Sequence, residues 1–424
     1  MKNSSDRLFS GGPGGGPKTI PLGPSGPSAF DWLTAGQFAL SVIAGLLLFG
    51  AFLFSGLALS LGTASLSTSQ LTSAWMYSWG MALAAFMMVP SAIFSGRRLF
   101  GSARPDDGSW HRYLRLSWVF PLVILLGYVV ERGPSVARVT LPIIHVLANT
   151  AGVFWILHLL GRRLRWGGSQ RFWGGFTSGL AFVPPITFLI EIMILIALVL
   201  LWVFILHFQP DLQDELANLL DRISRSTVSP VILQRILGRV LAQPGVAATG
   251  LIYISVLIPV VEEILKPLGV WILLGRKLSP RAGFALGATA GAGYALFENL
   301  TIGAYAEGWT LVAVSRLGTA ALHIFASGLV GWGLSSAVTE KRYLRLAGAL
   351  LAAISLHGVW NGLNILDVLV DFPELQGALS PFGYFFAAYS PAGLVLIGLG
   401  CLGGILLAGR RLGKDDIMAG SGSV

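Results

Sequence analysis

The stretch Ile258-Pro-Val-Val-Glu262-Glu263-Ile-Leu-Lys266-Pro-Leu268 sets two adjacent carboxylates inside a run that otherwise belongs in lipid. A charged side chain near the bilayer centre costs about 2.5–3.5 kcal/mol on insertion scales, so such a pair must face protein, find a partner, or perform chemistry. Helical spacing supplies one partner. Lys266 follows Glu262 by four residues and Glu263 by three, which lets its ammonium lie over the same face as the carboxylates. Consecutive helical residues point about 100° apart, so Glu262 and Glu263 are not expected to serve one site equally.

Outward from this stretch, the composition has the same character. Of 424 residues, 54% are hydrophobic and 12% charged, with a mean hydropathy of +0.72, where a soluble domain carries about 25% charged residues. The fold class expected is all-α, a polytopic transmembrane bundle of about ten spanning helices in contact with the lipid bilayer. A net charge of +9 would suit nucleic acid, but the basic residues form short clusters between apolar runs and no stripe with interleaved aromatics. They report topology, and nucleic acid is excluded as a partner. The single cysteine, Cys401, lies in the last apolar run, which leaves no disulfide framework, no Cys-based metal site and a poor setting for a thiol nucleophile.

Residues 1–34, rich in Gly, Pro and Ser, have too few apolar side chains to offset ordering entropy and read as a disordered tail. Spanning windows of roughly 20 apolar residues fall at 37–61, 74–94, 116–130, 141–160 and once within 172–208. Five more fall at 246–274, 283–306, 310–337, 346–366 and 382–408. Pro184-Pro185 interrupts the fifth run, which leaves a re-entrant or interfacial segment open there. These windows divide the chain into an N-terminal helical region (35–208), an insertion (209–245), a polar-helix region (246–366), a final loop and helix (367–409) and a tail (410–424). In the insertion, Leu212, Leu216, Leu219, Leu220 and Ile223, then Leu233, Ile236, Leu237, Val240 and Leu241, keep a helical period. Two amphipathic surface helices are expected, as a headgroup-level linker. No internal repeat relates the two halves, which weighs against the commonest transporter architectures.

Basic residues test this register. With the N-terminus inside, 21 of the 29 Lys and Arg fall on the inner side, six (Arg132, Arg138, Arg222, Arg225, Arg235 and Arg239) fall outside, and Lys266 and Arg316 lie within spans. That bias predicts a multi-pass protein of the cell membrane with both termini cytoplasmic and 209–245 external.

The polar residues of catalytic type concentrate late in the chain. After the Glu-Glu helix comes Gly287-Ala-Thr-Ala-Gly291-Ala-Gly293-Tyr294-Ala-Leu-Phe297-Glu298-Asn299, with small residues at 283, 287 and 291 that let another helix backbone approach and bring Glu298 toward the carboxylates. Arg316 and His323 are seven apart, and His357 and Asn361 four apart, so each pair shares a helix face. Glu191, His145 and His158 stand isolated among the first five helices and read as packing or headgroup-facing residues. Glu262, Glu263, Glu298, His323, His357 and Asn361 together read as one shared site, because a buried polar cluster must be mutually satisfied. The set contains acids, bases and an oxyanion donor but no Ser or Cys nucleophile paired with a His, which leaves water as the nucleophile. A carboxylate crowded by others in a low dielectric is a stronger base than a solvated one. The same Glu and His residues could instead hold a divalent ion that acidifies the water, although no His-Glu-x-x-His motif is present.

At Glu262-Glu263-x-x-Lys266, Gly-Tyr-Ala-Leu-Phe-Glu298-Asn299, the Arg316-to-His323 helix and His357-Gly-Val-Trp-Asn361, the chain resembles the PrsW family of intramembrane proteases. That family belongs with the CAAX-prenyl-protease and bacteriocin-immunity (CPBP) superfamily. The resemblance covers roughly residues 246–366 and implies a membrane peptidase of glutamic type, often labelled a metalloprotease, acting on a membrane-anchored substrate of the anti-sigma-factor kind. It implies Glu262 and Glu263 as the base and its partner, Glu298 as the second acid, and His323, His357 and Asn361 as the remaining polar site, with Lys266 and Arg316 supporting. Tyr294 departs from the family's usual Phe, and Asn361 from a frequently acidic position, which tilts this chain away from a metal. The reading is therefore a peptidase that activates water by carboxylate and requires no cofactor. Its alternatives are a zinc form with Glu262, Glu298, His323 and His357 as ligands, a proton- or cation-coupled transporter, and an inactive membrane scaffold.

Overall fold

The computed structural model describes residues 31–62, 66–101, 109–162, 164, 166–207, 217–218, 221, 244–276, 278–370 and 381–420. Among these, every regular element is helical, as the sequence predicts. Helix α1 spans Trp32–Leu61 and α2 Thr68–Leu99. A 3₁₀ segment Ser109–Val119 leads into α3, Phe120–Val130, and α4 spans Pro134–Gly161. Helix α5 joins Ser169–Thr177, a π turn Ser178–Phe182 and Val183–His207 into one rod. Helix α6 runs Pro244–Ile252, a π turn Tyr253–Leu257 and Ile258–Leu265, breaks at Lys266-Pro267, and resumes as Leu268–Leu273 with a 3₁₀ turn Leu274–Arg276. Helices α7 (Pro280–Thr301), α8 (Trp309–Glu340), α9 (Tyr343–Val370) and α10 (Pro381–Gly420) complete the described chain. Nine of these segments are long and apolar enough to cross a membrane; α7, rich in Gly and Ala, is not among them. The chain is an all-α, multi-pass membrane protein.

Several boundaries move. The tail expected through residue 34 ends sooner, because the Asp31 side chain accepts from the Thr34 N–H and caps a helix that begins at Trp32. Residues 1–30 lie outside the described residues, as does the amphipathic insertion apart from 217, 218, 221, 244 and 245. Helix α4 starts at Pro134, seven residues before the apolar window, since a proline in the first turn needs no N–H partner. The tail expected from residue 410 is still helical to Gly420. Pro184-Pro185 does not produce a re-entrant segment: the chain widens into the π turn just before the prolines, where the Val183 N–H reaches back to the Ser178 carbonyl. A π turn makes room in the preceding turn for the proline rings and for the carbonyls that the prolines cannot bond, and lets one rod continue.

Helix α7 is the axis of the bundle. All residues from Gly283 through Leu296 are buried. One face lies against α8 so closely that a Cβ at Gly291 would collide with the carbonyl oxygen of His323; on the other side, a Cβ at Gly179 in the α5 π turn would collide with the carbonyl of Ala290. The small-residue stripe read from the sequence thus brings Glu298 and His323 within reach of each other. Around α7, Phe172, Phe176, Val153, Leu157, Ala320 and Leu322 belong to the main apolar core.

Candidate active site

Four helices build the site. On α6 two proline effects shape the segment that carries the carboxylates. Pro259 follows the π turn, where Ile258 N–H bonds the Tyr253 carbonyl, and the break at Lys266-Pro267 ends the segment. Asn361 on α9 donates its side-chain amide to the carbonyl of Ile254 within that turn at 3.1 Å. The kinked segment is held by a specific partner instead of packing alone.

Glu262, Glu263 and Lys266 all point inward, with Glu263 and Lys266 wholly buried and Glu262 5% exposed. The Lys266 Nζ lies 2.7 Å from Glu262 Oε2 and 2.8 Å from Glu263 Oε1. Its third neighbour is His323 Nδ1 on α8, also at 2.8 Å. An ammonium has three N–H donors and no acceptor, so His323 Nδ1 accepts, and Nε2–H is left to donate to Glu298 Oε2 on α7 at 3.0 Å. Arg316, one face-length up α8, places its guanidinium 3.7 Å from the same Glu298 oxygen. On α9, His357 Nδ1 is 2.9 Å from Glu263 Oε1 and donates to it. In the neutral ring the lone pair then sits on Nε2, 3.8 Å from Glu262 Oε2. A continuous polar chain therefore runs from Arg316 through Glu298, His323 and Lys266 to Glu263 and His357, with Glu262 beside its centre.

Consecutive Glu262 and Glu263, not expected to serve one site equally, both reach Lys266, which stands four and three residues on between their two directions. Asn361 is placed differently from the rest, since its amide is committed to the Ile254 carbonyl and it braces the turn below the carboxylates. Glu298 also differs from the metal set expected. The donor atoms that gather within 4.8 Å belong to Glu262, Glu263, His323 and His357, while Glu298 sits behind His323 as its partner.

Two contributors went unread in the sequence. Tyr294, which the resemblance marks only as a departure from the usual Phe, has its ring centre 4.5 Å from the Lys266 ammonium and lies edge-on to His323 at 5.5 Å. Its signal was available, because it precedes Glu298 by one helical turn. Thr187, 3.4 Å from the Tyr294 hydroxyl, brings α5 to the site, and Glu191 lies one turn beyond it with its carbonyl accepting from the Tyr253 hydroxyl at 3.0 Å. Glu191 is thus less isolated than its sequence context suggests. His145, by contrast, belongs to a separate buried group with Asn149 and the Trp309 indole.

Residues 223–389 match the family model described as PrsW family intramembrane metalloprotease. The match covers less than half of the chain, from before α6 into α10, and contains every residue of the cluster. It supports intramembrane peptidase activity. No curated protein and no solved structure matches the chain.

The donor chemistry at the cluster fits the ion that this description implies: the two carboxylates and two imidazoles, all buried, are donor types that zinc takes.

Proposed function

We propose that this chain hydrolyses a peptide bond of a membrane-anchored protein, with Glu262 as the base that takes a proton from water. The observation that carries the reading is the Lys266-centred chain of Glu262, Glu263, His323, Glu298 and His357, built by four consecutive helices inside the stretch that matches the peptidase family. Glu262 is the carboxylate with a side next to a free lone pair. A water between its Oε2 and His357 Nε2 would meet an acceptor at each end, since a 3.8 Å gap is wide enough to be bridged.

Glu262 accepts the proton as the water oxygen forms its bond to the carbonyl carbon, and the C–N bond then breaks as that proton passes to the departing amine. Lys266 bridges the two carboxylates, offsets one of their two charges and fixes their orientation. Glu298 and His323 brace the ammonium from the far side, while Arg316 partners Glu298. If a zinc ion were bound, Glu262, Glu263, His323 and His357 would hold it, and it would supply an acidified water and a Lewis acid. In the reading favoured here the carboxylate is sufficient and no cofactor is required.

With basic loops on the inner face, both termini are cytoplasmic and the substrate is cut within a multi-pass protein of the cell membrane. The test reconstitutes the purified chain in proteoliposomes with single-span reporter proteins. Discrete fragments formed without any ion gradient, and lost in Glu262→Gln, are expected. Gradient-dependent flux that Glu298→Gln abolishes, with the reporters left whole, would establish a transporter instead.

A further inference from the structure

Lys266 occupies the centre that a metal ion would need. Its Nζ is 2.7 Å from Glu262 Oε2, 2.8 Å from Glu263 Oε1, 2.8 Å from His323 Nδ1 and 3.5 Å from His357 Nδ1. Among the described residues, these four side chains are the group able to hold an ion. The lysine is wholly buried and backed by the Tyr294 ring. Its backbone position, one turn after the two carboxylates, directs the ammonium at them.

Two cations cannot share this place. A divalent ion requires ligand atoms at about 2.0–2.2 Å, and a neutral imidazole has a single nitrogen lone pair to give. While the His323 Nδ1 lone pair accepts from the ammonium, it cannot coordinate a metal. Repulsion between an ammonium and a divalent ion a few ångströms apart in a medium of low dielectric adds to that exclusion.

We infer that the Lys266 ammonium and a divalent transition-metal ion of the zinc or cobalt class are mutually exclusive occupants of the Glu262, Glu263, His323 and His357 centre. Lys266 is then a built-in cation that keeps the ion out, and an ion binds tightly only when the ammonium is displaced or removed. The inference stands on this geometry and not on the peptidase reading.

The experiment uses the full chain in detergent, stripped with chelator and titrated with Co²⁺ by visible absorption, with Zn²⁺ per chain counted after gel filtration. Lys266→Met, a side chain of similar length without charge, should bind one ion per chain at least tenfold more tightly than the wild type. Lys266→Met combined with His323→Ala should lose that gain, and Lys266→Arg should remain as weak as the wild type. Should Lys266→Met not be recovered folded, Lys266→Gln carries the same comparison, with a Zn²⁺-dependent rise in unfolding temperature expected in the variant and not in the wild type. The wild type also decides alone: one tightly held ion per chain after gel filtration overturns the inference, whereas loss of the ion on the column supports it. Equal affinity in wild type and Lys266→Met overturns it as well. None of these readouts involves proteolysis, so failure of the peptidase reading leaves them unchanged and is recognised separately.

Discussion

Helices α1 and α8 are nearly the same length, and they invert the pattern of a water-soluble protein. In its most apolar stretch α1 buries none of its residues, whereas α8 buries 72%. The two buried residues of α1 are Thr34 and Ser41, while Leu46, Leu47, Phe54 and Leu57 face outward. Helix α8 buries mostly Ala, Gly, Ser and Thr, together with His323. Lipid chains are as apolar as leucine, so burying Leu against protein gains little there, and small or polar residues make the contacts between helices.

The two helices also attach by different means. Helix α1 is tied by polar bonds: Gln37 Nε2 to Ser91 Oγ and to the Gln170 carbonyl, Ser41 Oγ to Ser91 Oγ, and Asp31 to Arg98 and Arg276 at its end. Helix α8 is held by backbone approach to α7. The buried polar cluster lies on the less apolar, inward helices.

If the chemistry belongs to the buried, less apolar half, the largest single effect should come from Glu262. Glu262→Gln preserves volume, and it is expected to lower reporter cleavage by a factor on the order of 10² to 10⁴ with the chain still inserted. Wild-type turnover in that variant would remove Glu262 from the mechanism and with it the functional side of the contrast.

Next in size is a change in the approach of α7 to α8. Gly291→Val places atoms against the His323 carbonyl and should cost about 1–3 kcal/mol or more, with activity lost as His323 is pushed away. Gly50→Val on α1, where a Cβ would meet nothing within 4 Å, is the matched control and should leave unfolding in detergent almost unchanged. Equal effects at the two glycines would break the comparison.

The polar ties of α1 should matter less. Gln37→Leu removes bonds to α2 and α5 and is expected to cost about 0.6 kcal/mol, the usual size of such contacts in membrane bundles. Asp31, at the same end, responds to pH. Burial pushes its carboxyl up, but hydrogen bonds from Thr34 and Arg276 outweigh that and hold it below its ordinary 3.8. A lowered carboxyl pKa stabilises the fold above the unfolded value, and the contribution disappears as pH falls through the folded one. The tie should therefore be intact at neutral pH and weaken below about pH 4, an acid sensitivity that Asp31→Asn should remove.

The smallest effect belongs to the lipid face. Phe54→Leu, 76% exposed in the wild type, should change stability by less than about 0.5 kcal/mol. A loss above 1 kcal/mol would mean that α1 meets protein there.

The membrane class, the succession of ten helical segments among the described residues and the helices that bear the buried polar groups were all legible in the sequence. Apolar runs of spanning length and paired residues at helical spacing are local properties of the chain: Glu262 with Lys266, Arg316 with His323, His357 with Asn361. It also showed that α7 would be approached closely, from glycines repeating every four residues. Tertiary structure alone decided which of these groups meet. Spacing on one helix places a side chain on a face but says nothing of what stands opposite. So Asn361 went to the Ile254 carbonyl, Glu298 became the partner of His323, and Tyr294 slid beneath the ammonium. The placement of Lys266 at the centre of two carboxylates and two imidazoles required three helices, α6, α8 and α9, to close on one point. That depends on the rotation of each helix about its own axis, which packing sets and local sequence does not.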